Sequence, residues 1–298
     1  MTVEIVILGA GAGGGLPQWN CGCANCVAAR EGRIAPMSQS SIAVSGNGRD
    51  WAVVNASPDI RAQLVAAPRL RPTGPRELPL RAVLVTNGDI DHVAGLLTLR
   101  EGQAFTLFAT AGILGALAAN PIFAALDPGL VERRPVALDV PFALAPGLEA
   151  RLFAVPGKVP LYLEGPEVAT DLEGEQTVGV ELAAGGSRAL YIPGCARITR
   201  ALAERLHAAP LLLFDGTLWS DDEMIRLGLG SKTGRRMGHM PIAGPDGSMA
   251  ALAPLGIGRR IFVHLNNSNP AVDPASREAA EARAAGWEIA RDGMEIRA

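Results

Sequence analysis

The chain has 298 residues, 48% of them hydrophobic, and a formal net charge of −3, so it is long enough to enclose a large core. Its 27 lysine and arginine residues are scattered, which excludes the basic surface that a nucleic-acid partner requires. No apolar run reaches the roughly 18–20 residues of a membrane span, and no basic signal region precedes the first apolar run, so we expect a cytoplasmic protein without membrane insertion.

Short apolar runs bounded by glycine, proline and asparagine predict strands along most of the chain. The predicted strands are residues 3–8, 41–44, 51–55, 82–85, 105–109, 168–172, 179–182, 189–192, 211–214 and 261–265. The predicted helices are residues 95–101, 112–119, 198–208, 248–255 and 276–285. Strands that alternate with helices, with hairpins in the first half, favour an α+β fold of mixed sheets covered by helices. No linker or repeat interrupts this pattern, so we predict one domain over residues 1–298.

Three of the four cysteines, Cys21, Cys23 and Cys26, lie within six residues, and we call these three the cysteine cluster. Three thiolates this close together suit a closed tetrahedral zinc site when a fourth ligand comes from elsewhere in the chain. His239 lies in a loop bounded by glycine and proline and is the best fourth ligand. We therefore predict a structural Zn²⁺ site in the loop of about residues 16–30. The alternative is three thiols that bind no metal.

A second set of candidate ligands begins directly after the predicted strand 82–85, in the stretch from Thr86 to His92. This stretch resembles the Thr-His-x-His-x-Asp-His loop of metallo-β-lactamase-like hydrolases, but Asn87 and Asp89 stand where two of the histidines would be. The first metal of that dinuclear site loses its ligands, whereas Asp91 and His92 could still bind the second. A one-metal site is therefore more consistent with these residues than a hydrolytic pair of metals.

His264, at the end of the last predicted strand, completes a set of two imidazoles and one carboxylate with Asp91 and His92. This is the facial triad of non-haem Fe(II) oxygenases, so we predict an Fe²⁺ site there. The alternative is that Asp91 caps a helix and His264 is an ordinary core histidine. Asp215, which ends another apolar strand, is a fourth ligand, an outer carboxylate that orients a ligand, or a turn aspartate.

Four further residues are candidates for contacts with a substrate. Asp89 and Lys158 could move protons or bind the substrate by hydrogen bonds, a prediction that rests on their location alone. Arg235 and Arg236 could bind substrate carboxylates, although arginines in loops are more often solvated.

Long motifs across nearly the whole chain resemble the coenzyme PQQ synthesis protein B family. These motifs are residues 18–26, 38–44, 55–61, 214–219, 232–242, 264–270 and 292–296. The resemblance implies a metallo-β-lactamase-like fold, an αββα sandwich, and a role in making pyrroloquinoline quinone (PQQ) from a Glu-Tyr unit excised from a precursor peptide.

A related phosphodiesterase of the carbon-phosphorus lyase pathway has the same cysteine spacing closed by a histidine, and His239 matches that histidine. Near that enzyme's further histidine and aspartate ligands, this chain has Pro156-Gly157-Lys158 and Pro193-Gly194 instead. The resemblance therefore disfavours hydrolysis.

Two descriptions of the family's role remain open. The first is oxidation or hydroxylation of the tyrosine ring at a non-haem iron centre, and the second is transport of PQQ or its precursor to the periplasm. We favour an iron-dependent oxygenase that acts on a small-molecule or dipeptide precursor of PQQ, with other proteins of the pathway as potential partners. A carrier is the alternative, and a hydrolase ranks third.

Overall fold

Two seven-stranded sheets form the centre of the molecule in a computed structural model that describes residues 1–298. In spatial order, the first sheet contains β14 (Glu295–Arg297), β1 (Glu4–Gly9), β2 (Ser41–Ser45), β3 (Trp51–Val54), β4 (Leu80–Leu84), β5 (Phe105–Ala109) and β6 (Val131–Pro135). The second contains β13 (Trp287–Ile289), β12 (Arg259–Val263), β11 (Leu211–Asp215), β10 (Ser187–Ile192), β9 (Val178–Ala184), β8 (Leu148–Ala154) and β7 (Pro141–Ala145). Both sheets are mixed, since β3 to β6 and β10 to β13 pair in parallel and the other neighbours pair antiparallel.

Short helices connect the strands. They are α1 (Ala24–Arg30), α2 (Ile60–Ala66), α3 (Ile90–Val93), α4 (Ala111–Ala118), α5 (Arg200–Leu206), α6 (Glu223–Arg226), α7 (Gly234–Met237), α8 (Ser248–Leu252) and α9 (Arg277–Ala284). Short 3-10 turns fill several connections, and the longest is Ala94–Arg100. No helix has the length and apolar character that crossing a membrane requires.

The sheets pack face to face, and helices cover their outer faces. The central core of 38 residues takes side chains from both sheets, whereas separate clusters of 23 and 19 residues lie between each sheet and its helices. β1 shows how the sequence builds these layers: Ile5 and Ile7 face the other sheet, and Val6 and Leu8 face the helices. A strand buried on both faces is a continuous apolar run, which explains the sequence of β1. The αββα sandwich expected from the family resemblance is confirmed.

Some predicted elements differ from the structure. Residues 168–172 form no strand, because only Leu172 pairs, in an isolated bridge with Gly157, and its side chain is exposed. The predicted helix at 95–101 is the 3-10 helix Ala94–Arg100. The missed strands are β6, β7, β8, β13 and β14. Of these, β6 contains Glu132, Arg133 and Arg134 and lies at a sheet edge, so it lacks the apolar run that signals a buried strand.

Candidate metal centre

A cleft of about 350 Å³ opens where several strands end. Its lining residues follow β1, β4, β8, β10, β11 and β12, so both sheets contribute to it. Chain segments that leave neighbouring strands at one rim bring distant residues together, which is how ligand sites form in such folds. The cleft contains Asp91, His92, His239 and His264.

The predicted triad is brought together in this cleft. Nε2 of His264 lies 3.1 Å from Oδ2 of Asp91, and Nε2 of His92 lies 3.9 Å from the same oxygen. The ligand atoms of the three residues all lie within 4.8 Å of one another. Nε2 of His92 is buried and has no hydrogen-bond partner. A buried polar atom without a partner is costly, and a cation between these three side chains would remove that cost, so the residues fit a metal ion.

Two residues of the triad have charge states that suit metal binding. Burial lowers the pKa of His92 to about 4 against the opposing effect of Asp91, so the imidazole is neutral. Burial opposes ionisation of Asp91, but the neighbouring His92 and the hydrogen bond from His264 outweigh it and hold the pKa of this carboxyl well below its usual range. Burial likewise opposes protonation of His264, but its hydrogen bond to Asp91 and the charges of Asp91 and Asp215 raise its pKa, which favours the imidazolium. Metals bind carboxylates and neutral imidazoles, so a cation between these residues would replace a proton of His264.

Thr217, which the sequence reasoning did not single out, orients His264. Its hydroxyl donates to Oδ1 of Asp215 at 2.6 Å and lies 2.8 Å from Nδ1 of His264. Since the hydroxyl hydrogen is used by Asp215, the Thr217 oxygen accepts from Nδ1 of His264, and Nε2 is the nitrogen that faces Asp91. The backbone of His264 has φ +57°, a strained conformation for a residue with a Cβ that the surrounding contacts must maintain.

Asp215 acts as an orienting carboxylate. It is fully buried and accepts hydrogen bonds from the backbone N–H groups of Cys195 and Thr217, from the Thr217 hydroxyl and from Nδ1 of His239. Burial opposes its ionisation, but the charge and hydrogen bond of His239 outweigh burial and lower its pKa. Because both of its oxygens already accept hydrogen bonds, Asp215 fits the role of an outer carboxylate better than the role of a fourth metal ligand.

The structure corrects the prediction for His239, which does not lie at the cysteine cluster. Its ring stacks on that of His264 with centroids 5.1 Å apart, and its Nδ1 lies 2.8 Å from Asp215. The backbone N–H of Met240 donates to the carbonyl of Cys195 at 2.7 Å, and this contact holds the His239 segment at the cleft. At the cysteine cluster, the side-chain amide of Asn267 occupies the fourth position instead. That zinc binds the cysteine cluster stays a prediction.

Asp89 and Lys158 both line the cleft, and they lie close to each other. Nζ of Lys158 is 4.0 Å from Asp89 and 3.0 Å from Glu164, whose other oxygen lies 3.2 Å from Arg236. Burial raises the pKa of Asp89 although Lys158 opposes this effect. No sequence pattern singles out Glu164, whose side chain is only 8% exposed and contacts both Lys158 and Arg236.

The two arginines proposed to bind substrate carboxylates do not line the cleft. Arg236 contacts Glu164 outside the cleft lining, and Arg235 donates to the backbone carbonyl of Asp246. The cations that line the cleft are Lys158 and Lys232. Gly157 and Gly194 also line it, so the stretches 156–158 and 193–194, where the family resemblance would place further ligands of a hydrolase, contribute no histidine or aspartate here.

Comparison with known proteins identifies the class. Residues 50–265 match the family model described as the Beta-lactamase superfamily domain. A diphosphatase from the PhnP family is 19% identical, with a TM-score of 0.69 over 99% of this chain and 97% of that chain, and this similarity shows the fold alone. Fold and ligand groups together define a metal-site protein of the metallo-β-lactamase class.

Within that class, the chain belongs to the coenzyme PQQ synthesis protein B family. The Ruegeria pomeroyi member is 60% identical over 294 residues, which are 99% of this chain and 99% of that protein. The Rhizobium meliloti member is 56% identical over 298 residues, with 99% and 98% covered. The crystal structure of Zn²⁺-bound PqqB from Methylobacterium extorquens is 53% identical, with a TM-score of 0.97 over 98% of this chain and 99% of that chain. The resemblance predicted from the motifs is confirmed.

Proposed function

We propose that the protein acts in PQQ biosynthesis as an iron-dependent oxygenase that hydroxylates the tyrosine-derived ring of a Glu-Tyr precursor. The observation that supports this proposal most directly is the triad of Asp91, His92 and His264 beside positions that carry no further histidines. Fe²⁺ bound by these three residues would supply binding and activation of O₂ at its open positions. Insertion of one oxygen atom into a ring C–H bond consumes O₂, two protons and two electrons and releases water, so a soluble two-electron donor is a required co-reactant.

The residues of the cleft have separate roles in this proposal. Lys158 and Lys232 bind the carboxylates of the substrate, because both line the cleft and the precursor is a multiply charged acid. Glu164 holds Lys158 in place through its 3.0 Å contact. Asp89, next to Lys158, accepts the proton that the ring carbon loses. The surrounding protein orients the ring and excludes side reactions.

A carrier of PQQ or its precursor is the second candidate. The lysines of the cleft support it, since two cations could hold an anionic quinone without any reaction. Under either proposal we place the protein in the cytoplasm, a prediction that rests on the sequence.

The test combines iron reconstitution with labelled oxygen. Protein purified without chelator is loaded with Fe²⁺ under anaerobic conditions and mixed with a Glu-Tyr substrate, a reductant and ¹⁸O₂. We expect a product that contains one labelled oxygen atom and consumption of O₂ in proportion to product. Tight binding of PQQ with no substrate conversion would favour the carrier, and equal turnover without oxygen would exclude the oxygenase and favour a different enzyme class.

A further inference from the structure

We propose that Ile90 and Leu161, which we call the apolar pair, hold the aromatic ring of the substrate between them, so that the cleft selects acids that carry a ring. The proposal deepens the function proposed above and rests on it for the identity of the ring. The observation that carries it is the presence of two large, exposed apolar side chains in a cleft whose other lining is mostly polar.

The exposure of the apolar pair is unusual among the residues of the cleft. Both residues line it, yet Ile90 is 59% and Leu161 is 61% exposed. The other apolar side chains of the lining are those of Ala12, which is buried, and of Met224 and Met237, which are half-buried. Single exposed apolar residues are ordinary on a protein surface, but two at the opening of one cleft gain free energy when a ligand covers them. The apolar pair therefore marks the place where an apolar part of the substrate binds.

A backbone contact keeps the two members of the apolar pair on adjoining parts of the rim. Leu161 is the first residue of a 3-10 turn that ends at residue 163. Its N–H donates to Oδ1 of Asp89 at 3.4 Å, and Asp89 directly precedes Ile90 in the chain. Residues 71 positions apart in sequence thus meet at the cleft opening through the turn and the start of α3.

Close packing on Gly88 fixes the position of the same turn. The hydroxyl of Tyr162 donates to the carbonyl of Gly88 at 2.9 Å. A Cβ at Gly88 would lie 2.7 Å from Cγ of Pro160 and 3.1 Å from Oη of Tyr162, so the turn rests directly on the backbone of the metal-binding loop. The spacing of the apolar pair is therefore set before a substrate binds, which lowers the entropic cost of binding.

The apolar pair lies between the candidate metal ligands and a cation. Ile90 directly precedes Asp91 of the triad, and Leu161 follows Lys158 by three residues. Lys158 also lines the cleft. A ring between Ile90 and Leu161 would consequently lie beside the triad, with a carboxylate a few bonds away within reach of Lys158. An amino acid with an aromatic side chain has this arrangement of ring and carboxylate.

The chemistry of the apolar pair favours a flat ring over other groups. An aromatic side chain buries about 150–250 Å² and has two faces, and one aliphatic side chain can cover each face. The lysines of the cleft would bind any small acid, because a cation does not distinguish between carboxylates. The apolar pair supplies the difference in affinity between acids with a ring and acids without one.

The experiment compares the binding of two dipeptides, Glu-Tyr and Glu-Ala, which differ only in the ring. Calorimetry is carried out without oxygen on full-length protein, both as purified and after loading with Fe²⁺, so that the ligand binds without reacting. We expect the wild type to bind Glu-Tyr roughly 10–100-fold more tightly than Glu-Ala, the effect of burying a side chain of this size. Because each member of the apolar pair covers one face of the ring, Ile90→Ser and Leu161→Ser should each lower this ratio by about three- to tenfold.

Three variants serve as controls. Leu161→Met keeps an apolar side chain of similar size and should retain the ratio of affinities. Leu163→Ser changes a 45% exposed residue of the same turn that does not line the cleft. Ile122→Ser changes an isoleucine that is 61% exposed and also lies outside the cleft lining. Both should bind the two dipeptides as the wild type does. Metal content is measured in every variant, because Ile90 adjoins a ligand of the triad.

The outcomes separate the apolar pair from the oxygenase. Equal affinity of the wild type for the two dipeptides, an unchanged ratio in Leu161→Ser, or an equal loss in Leu163→Ser would overturn the apolar pair. Labelled oxygen in the product together with equal affinities would overturn the pair and leave the oxygenase standing. A ring-dependent affinity that falls in both serine variants supports the pair even if the product contains no labelled oxygen, a result that would count against the oxygenase alone.

Discussion

The carboxylate of Asp215 accepts a hydrogen bond of 2.8 Å from Nδ1 of His239, and this pair connects the end of β11 to the segment that follows α7. The bond fixes the tautomer of His239 and leaves its Nε2 available in the cleft. His239 forms a second group of possible ligands with Asp215 and His264, and not with Asp91 and His92. Because its Nδ1 is already bonded to Asp215, we predict that its imidazole acts on a substrate rather than binding the metal of the triad.

This arrangement predicts a specific effect for His239→Gln. Iron occupancy should stay near the wild-type level, whereas kcat should fall by about 10²-fold, the lower end of what positioned acid–base groups contribute. Asp215→Asn disturbs the tautomer of His239 and, through Thr217, the orientation of His264, so it should lower both kcat and iron occupancy. Steady-state kinetics and metal analysis of the same samples test both. An iron loss equal to that of a triad variant would mean that His239 is itself a ligand.

The triad is tested by His264→Ala. Removal of one ligand of three should prevent iron binding and abolish oxygen consumption with a tyrosine-containing substrate. His207→Ala is the matched control, because His207 is exposed at the end of α5 and lies outside the cleft. Metal analysis and an oxygen electrode give the two readouts. Full oxidative activity in His264→Ala would exclude the proposed centre.

Residues at strand ends could be predicted from the sequence, and residues placed by loop contacts could not. Asp91 and His92 follow β4 and His264 follows β12, so the strand pattern places each of them at a strand end. These strands lie in different sheets, and it was the resemblance of residues 86–92 to a metallo-β-lactamase metal loop that predicted a shared site. The location of His239 depends on the contact of Met240 with Cys195, which no local pattern reveals.

Two further residues escaped prediction for related reasons. Asn267 is a neutral amide, so nothing in its side chain indicates that it contacts the cysteine cluster. Glu164 stands in a stretch of exposed residues, and only its partners Lys158 and Arg236 show why it is buried. The apolar runs of the strands likewise predicted mixed sheets covered by helices but not the polar edge strand β6, and the sandwich itself came from the family resemblance.

Substitutions of two cationic residues, one inside the cleft and one outside it, test substrate binding. Lys158→Met should raise KM for a carboxylate-bearing substrate by roughly tenfold, because a hydrogen bond to a charged group contributes about 1.5–3 kcal/mol. Arg235→Met is the control and should leave KM unchanged, since Arg235 contacts Asp246 and not the cleft. A larger effect of Arg235→Met than of Lys158→Met would place the substrate carboxylates at the α7 segment instead.

Histidine substitutions at residues 87 and 89 test whether Asn87 and Asp89 limit the cleft to one metal ion. Asn87 and Asp89 both line the cleft, so the double variant Asn87→His with Asp89→His should raise the metal content of the cleft from about one ion towards two. The second ion should bind weakly, because the stretches 156–158 and 193–194, where the family resemblance would place further ligands of a hydrolase, contribute no histidine or aspartate. We therefore expect higher metal stoichiometry without efficient phosphodiesterase activity. Metal titration measures the number of bound ions, and hydrolysis of a chromogenic phosphodiester measures the phosphodiesterase activity. A double variant that still binds one ion would show that Asn87 and Asp89 do not limit the metal count, and rapid hydrolysis would show that the glycine positions do not matter.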